Sequence, residues 1–461
     1  MRILLINPKP RIWVTPDYIP LGIAYIAACL EEAGHDVRVL DMHAWPDAKP
    51  DFNVDIVGIS ANTPLVEEAW RIAKRSKEES DAVTVMGGYH PTFMTEEVLS
   101  KPYVDIVVRF EGELTMVELA DRLEKGGDLG DVKGISYKRD GKIVHNPDRP
   151  PAKDLDSLPF PAYHLFKGFP DRYSAIHPLL EPRRRSATII TSRGCSWGCL
   201  FCSKYWRAWR PRTPENVVEE WRWLIERWGI ERIGIMDDCW SLGIKRAKEI
   251  MRLIIEEGLA IPWDGVGGMR VDTIDRELAQ LMRKSGCYRV AFGVEHGNQK
   301  ALDMLGKGIT LEQVERAFKL TKEAGIETIG FFVLGMPYET REMMMDTIRF
   351  AVKLDPDYAQ FTIVEALPGS PLFEQVRKHG RFLTSSWSDF GFYEGKMLFE
   401  VEGSAASPRD VEEMFRLAWR TFYLRPSFIW KRLSDINTYT NVFNTLRGAL
   451  YFLFGVSSWR R

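Results

Sequence analysis

Short apolar runs alternate with longer segments of helical periodicity through most of the chain. RILLIN, residues 2–7, is an unbroken apolar run that ends at Asn7-Pro8. LGIAYIAACLEEAG carries apolar residues at helical spacing and stops at Gly34. DVRVLDM, DIVGIS, VTVMGG and YVDIVVR are further strand-like runs, and VEEAWRIAKRSKEE is a helix between two of them. Strands alternating with helices predict a parallel sheet covered on both faces. Ser60-Ala61 and Gly87-Gly88 close two of the runs, at the strand ends where open sheets of this kind bind ligands.

The alternation pauses after about residue 125. GDVKGISYKRDGKIVHNP reads as a hairpin turning at Asp140-Gly141. The proline-rich RPPAKDLDSLPFPAYHLF reads as an interdomain linker. From residue 184 the pattern restarts. Strand patterns in SATIITSRG, ERIGIMDD, WDGVGGMRVD, YRVAFGVEHG, ETIGFFVLGMP and YAQFTIVEALPGSP are each followed by a segment of helical period or a turn. Six such steps fall short of a full eight-fold barrel and predict an open, partial one. Thr213 and Pro214 mark the start of the first helix as N-cap and first helical residue. The expected organisation is therefore an α/β domain over 1–140, hairpin and linker over 141–183, a partial barrel over 184–380 and a mostly helical extension over 381–461.

A chain of 461 residues has room for two or three substantial cores. Its 64 acidic and 62 basic side chains nearly cancel, which argues against a nucleic-acid partner. No apolar stretch is long enough to span a membrane, and MRILLINP reads as a first strand rather than a signal peptide. Six cysteines do not make a disulfide framework here. Half of them crowd into RGCSWGCLFC, as Cys195, Cys199 and Cys202, while Cys29, Cys239 and Cys287 stand apart. That distribution favours metal binding in a reducing, cytoplasmic compartment.

Thiolates spaced in this way converge on one metal object from a single loop. Structural zinc wants four ligands, usually as two pairs, and no second pair is present. An iron–sulfur cluster normally takes four thiolates, so a cluster held by three leaves one iron open. CxxxCxxC directly after the first strand of a partial β/α barrel resembles the radical SAM superfamily, over about residues 184–380. The resemblance implies a [4Fe-4S] cluster on Cys195, Cys199 and Cys202 whose open iron binds S-adenosylmethionine. It also implies reductive cleavage to a 5′-deoxyadenosyl radical and an electron donor such as a flavodoxin or ferredoxin.

Further site residues follow from the same resemblance. Asp237 and Asp238 stand where relatives carry Gly-Gly-Glu, so a polar contact to adenosylmethionine or substrate competes with a helix cap. Arg270, near Asp272, either pairs with the methionine carboxylate or forms a structural ion pair. Glu295, in GVEHG, matches a Glu that lies near adenosylmethionine in relatives, with His296 in place of their Ser. Gly335 and Pro337 match a turn beside the adenine, although a plain turn explains them equally well. LPGSP, residues 367–371, reads similarly, as a turn at the substrate mouth.

The first 140 residues resemble the cobalamin-binding domain joined to many radical SAM enzymes, a Rossmann-like fold. LGIAYIAACLEEAGHDVRVLD, DIVGISANTP, VMGGYHPTF and VDIVVRFEGE carry that resemblance in order. It implies Ser60, Thr63, Gly87 and Gly88 along the corrinoid and its nucleotide tail. Asp41-Met42-His43 lacks the glycine of the cobalt-ligand motif, which argues against His43 as a lower ligand. His90 reads equally as a loop residue or a ligand. A domain that keeps the fold without the cofactor is the plainer alternative.

Together the two resemblances imply methylation of an unactivated carbon through methylcobalamin. The runner-up is non-methylating radical oxidation or cyclisation of a large apolar substrate, as in the anaerobic magnesium-protoporphyrin ester cyclase. A non-catalytic corrinoid- or cluster-carrying protein is a third reading. Phe428, Ile429, Trp430, Leu446, Leu450 and Tyr451–Phe454 alternate with Lys431, Arg432, Arg447, Arg460 and Arg461. Such a tail suits peripheral membrane contact or a cap over an apolar small-molecule substrate; the bland expectation is a helix packed on the barrel.

Overall fold

The structure is a computed structural model, and it describes residues 1–10, 18–173, 184–391 and 395–434. A first sheet holds β1 (Arg2–Asn7), β2 (Asp36–Asp41), β3 (Ile56–Ser60), β4 (Val83–Gly87) and β5 (Ile106–Val108), all parallel in the order β2-β1-β3-β4-β5. Alternate residues of β1 serve opposite layers. Ile3 and Leu5 face helices Leu21–Glu32 and Glu113–Glu124, while Leu4 and Ile6 face helix Val66–Glu79. Burial on both faces explains why β1 is apolar throughout. The strand order reverses between β1 and β3, which opens a crevice at their carboxyl ends.

The hairpin joins this sheet and is no part of a linker. β6 (Ile135–Arg139) pairs antiparallel with β5, and β7 (Lys142–His145) with β6. Asp140 and Gly141 both take positive φ, 51° and 74°, as a tight two-residue turn requires. The proline-rich stretch is also more than a tether. Tyr163 and Phe166 are buried in it and Tyr173 just beyond it, and the Tyr163 hydroxyl donates to Thr188 O at 2.7 Å. These aromatic residues carry the stretch into the core and fasten the two sheets together.

The second sheet runs in chain order. β8 (Ser186–Ile189) is followed by the short antiparallel pair β9 (Ser192–Arg193) and β10 (Arg210–Pro211). β11 (Arg232–Ile235), β12 (Trp263–Met269), β13 (Cys287–Glu295), β14 (Glu327–Leu334) and β15 (Tyr358–Ile363) then add one after another, parallel, beside β8. This is the expected six-stranded open barrel. Helix Pro214–Trp228 starts as expected, with Thr213 Oγ1 accepting from Asn216 N, and ends at left-handed Gly229.

The described part of the C-terminal region adds a short hairpin to its helices. β16 (Gly380–Phe382) and β17 (Phe399–Val401) form a hairpin ahead of helices Pro408–Tyr423 and Pro426–Ser434. Between the two strands the chain reaches back to the first domain. Glu67 accepts from Ser386 Oγ, Trp387 N and Ser388 Oγ at 2.6–2.9 Å, and Trp387 Nε1 donates to Glu97 at 3.0 Å. Phe428 packs on Phe422 while Ile429 and Trp430 are exposed. The remaining tail residues named above, from Leu446 on, lie outside the described residues. Among the described residues no helix is long and apolar enough to cross a membrane.

Candidate functional site

The cysteine loop leaves β9 through Gly194, whose φ is 83°. A Cβ at this glycine would lie 2.3 Å from Ala208 O, so no other residue fits. Within the loop Cys202 N donates to Cys199 O, and Lys204 Nζ donates to Trp197 O at 2.6 Å. Leu200 ties the loop to two barrel helices, its N donating to Leu305 O and its O accepting from Leu372 N. Burial pushes the Cys199 thiol up and the Cys202 thiol up to about 12; Lys204 opposes this at both and Lys307 at Cys199. Left alone, these sulfurs are neutral thiols. A bound iron centre would supply the positive charge that favours their ionised form. Cys239 is buried in the turn that follows β11, and Cys287 at the start of β13.

The strand-end residues split into engaged and available groups. Asp237 is engaged: Thr191 N, Thr191 Oγ1 and Ser192 Oγ each donate to it at 2.6 Å. It welds β11 to the strand that feeds the cysteines and has no carboxylate edge for a ligand. Asp238 points the other way, is exposed, and accepts from Gly194 N at 3.0 Å. Arg270 is engaged as well. Its Nε and Nη2 each donate to Asp272 at 2.9 Å, Nη1 donates to Lys307 O, and the guanidinium lies 3.7 Å from the Trp197 ring centroid. The structural ion pair is therefore the arrangement found.

Glu295 is buried and ion-paired to Lys307, a residue with no signal in the sequence reading. Gly335, at φ 93°, sits where a Cβ would strike Val411 at 2.6 Å. Its N–H and that of Met336 donate to buried Glu339, and Pro337 O accepts from Ala405 N. The C-terminal region thus covers the outer side of this turn. Ser370 caps helix Pro371–His379.

A cavity of about 470 Å³ opens where the two sheets meet. Asn7, Ser60, Gly87, Gly88 and Val108, at the carboxyl ends of the first sheet, form one wall; Arg193, Gly194, Tyr205, Trp206 and Asp238 form another. The size suits a small-molecule or cofactor site. Gly88, at φ 103°, lets the backbone pass Ala61, since a Cβ would lie 2.6 Å from Ala61 O. Asn62 Oδ1 and Trp206 Nε1, both from lining residues, are buried without a hydrogen-bond partner among the described residues. One acceptor and one donor left open in an apolar cleft fit a ligand rimmed with amides, as a corrinoid is. Thr63, His43 and His90 do not line the cavity. Thr63 and His90 lie behind it, 3.4 Å apart at Oγ1 and Nδ1, with His90 Nε2 3.4 Å from Glu97.

The cysteine loop is anchored to the cavity on both flanks. Before it, Arg193 pairs with Glu113 at 2.8 Å, and beyond it Arg210, beside Arg193 across the β9–β10 pair, is ion-paired with Glu111. After it, Tyr205 and Trp206 pack on Tyr89, Phe93 and Phe110. The acidic partners stand in the FEGE stretch noted above, but sequence alone does not show what they face.

Comparison with known proteins agrees with this geometry. Residues 189–351 match the radical SAM superfamily and residues 12–120 the B12 binding domain. The chain is 38% identical over 428 residues, 90% of either chain, to an uncharacterized methyltransferase, PH0819, of Pyrococcus horikoshii. It is 34% identical to the anaerobic magnesium-protoporphyrin IX monomethyl ester cyclase of Rubrivivax gelatinosus, over 82% of this chain and 70% of that one. Its fold is similar to that of the radical S-adenosylmethionine methyltransferase TsrM from Kitasatospora setae, solved with cobalamin and a [4Fe-4S] cluster bound. The TM-score is 0.72 at 22% identity, covering 93% of this chain and 90% of that one. The chain belongs to the radical SAM enzymes that carry an N-terminal B12-binding domain.

Proposed function

We propose that this protein is a cobalamin-dependent radical SAM methyltransferase acting on an unactivated carbon of a small molecule. One observation carries the reading: residues flanking the three cysteines also wall the cavity at the switch point of the first sheet. Cys195, Cys199 and Cys202 would hold the cluster, Glu295 would contact adenosylmethionine, and Ser60, Gly87, Gly88, Asn62 and Trp206 would hold the corrinoid. When bound, these groups supply a 5′-deoxyadenosyl radical and a transferable methyl group. The protein's own part is positional. Asp237 and Arg193 fix the strand that leads into the cysteine loop, and Tyr205 fixes its exit. A low-potential electron donor is required as partner.

The methyltransferase relative, matched over nine-tenths of both chains, supports methylation. The cyclase relative, at 34% identity, favours radical oxidation or cyclisation of an apolar ring system as the second reading. Anaerobic reconstitution with iron, sulfide and hydroxocobalamin tests the shared part. The expected results are a corrinoid absorbance that survives desalting and reductant-dependent 5′-deoxyadenosine. Loss of the absorbance would remove the corrinoid from the proposal, and absence of deoxyadenosine would remove the radical.

A further inference from the structure

Lys204 stands just past the last cysteine, and its side chain turns back over the loop. Its Nζ donates to Trp197 O at 2.6 Å and to Cys195 O at 3.4 Å, so it ties the end of the loop to its beginning. The residues on either side fix it there: Ser203 Oγ donates to Pro368 O at 2.6 Å, and Tyr205 stacks on Tyr89. Both partners of the ammonium are neutral carbonyls, and among the described residues no carboxylate pairs with it. The other cations at the loop differ. Arg270 is paired with Asp272 and Lys307 with Glu295. Arg207, whose guanidinium lies against Gly198, is exposed, where water and salt screen it. Lys204 is half-buried, so its positive charge is the one left over beside the sulfurs. The thiols respond to it. Burial raises Cys199 and Cys202, and Lys204 lowers both. At Cys199 Lys307 and Glu295 oppose each other, and at Cys202 Asp238 opposes Lys204 less strongly than Lys204 acts.

Reduction adds one negative charge to an iron–sulfur cluster, and the charge around the cluster helps to set its potential. We propose that Lys204 is a positioning residue that closes the cysteine loop and, through its charge, makes the bound cluster easier to reduce. This rests on the radical SAM reading above and goes beyond it. One electron enters from the low-potential donor, which is oxidised; Lys204 neither gains nor loses an electron and keeps its proton. A strap that only holds the loop needs hydrogen-bond donors. The role proposed here needs the charge as well, and that difference can be measured.

The test is a mediated redox titration of the reconstituted full chain, with reduced cluster read by electron paramagnetic resonance. Iron and sulfide content verify loading in every variant. Lys204→Gln keeps a hydrogen-bond donor and loses the charge. At the potential where half of the wild-type cluster is reduced, its ratio of reduced to oxidised cluster should fall about tenfold, a downward shift of about 59 mV for one electron. Lys204→Arg keeps the charge and should titrate close to wild type. A loaded Lys204→Gln with an unmoved midpoint, or Arg and Gln variants shifted equally, overturns the proposal and leaves the radical SAM reading standing. Should Lys204→Gln not load a cluster, Lys204→Met makes the same comparison. Failure of both neutral variants to load, with Lys204→Arg loading normally, would reduce the lysine to a strap and also overturn the proposal. A wild-type protein that loads no cluster at all overturns the radical SAM reading with it.

Discussion

Tyr205 stacks on Tyr89 with ring centroids 4.1 Å apart and planes 18° from parallel. One follows the last cysteine of the loop and the other follows the Gly87-Gly88 pair, so the cysteine loop and the cavity wall share a contact. Tyr205→Ala should cost about 3 kcal/mol of stability, as for other buried aromatic truncations, and weaken hydroxocobalamin binding. Tyr205→Phe keeps the stack and should bind hydroxocobalamin like wild type. Denaturant unfolding and absorbance titration check the two effects; a corrinoid affinity unmoved in Tyr205→Ala would separate the loop from the cavity.

Arg193 and Glu113 are both mostly buried and sit 2.8 Å apart. Glu113→Ala leaves a buried cation short of its nearest partner and should destabilise by about 3 kcal/mol. Restoring neutrality with Arg193→Met in the same chain should recover part of that loss. A double-mutant cycle by urea unfolding measures the coupling, and strict additivity would mean the pair does not bind the two sheets together.

His90 gives the first domain a pH dependence. Burial holds its imidazole below the ordinary 6.5, against the opposing pull of Glu97. The unfolded chain therefore takes up a proton before the folded one. The stabilising contribution is complete above 6.5 and is lost as pH falls through the lower folded value. Wild type should lose stability relative to His90→Gln on acidification from neutral pH, and a pH-independent difference would contradict the assignment.

Replacing Cys195, Cys199 or Cys202 singly with Ala should abolish deoxyadenosine formation and lower bound iron. Cys239→Ala and Cys287→Ala should keep both, since their buried thiols lie outside the loop. Iron and sulfide assays with chromatography of the nucleoside products decide this. Iron lost from either control would enlarge the ligand set.

Much of this architecture can be read from periodicity, because each barrel strand is an apolar run closed by small or charged residues. The cysteine loop and Ser60, Gly87 and Gly88 stand out for the same reason: they interrupt a regular pattern at a strand end. Asp237 and Asp238 are neighbours in the sequence, yet successive residues of an extended chain point to opposite sides. One is welded into the core and the other faces the cavity. Thr63 follows a strand end but opens a short helical turn that carries its side chain behind the wall. Lys307 gave no sign because its partner lies 12 residues away. The two charges meet where the register of β13 slips, at Glu295.

The most direct test of the central claim is transfer of label from adenosylmethionine carrying a deuterated methyl group, in anaerobic cell extract with the reconstituted protein. The account predicts a small-molecule product that gains the labelled methyl on carbon, together with 5′-deoxyadenosine. Deoxyadenosine formed with no label transferred to any product would contradict methylation and favour the oxidative reading.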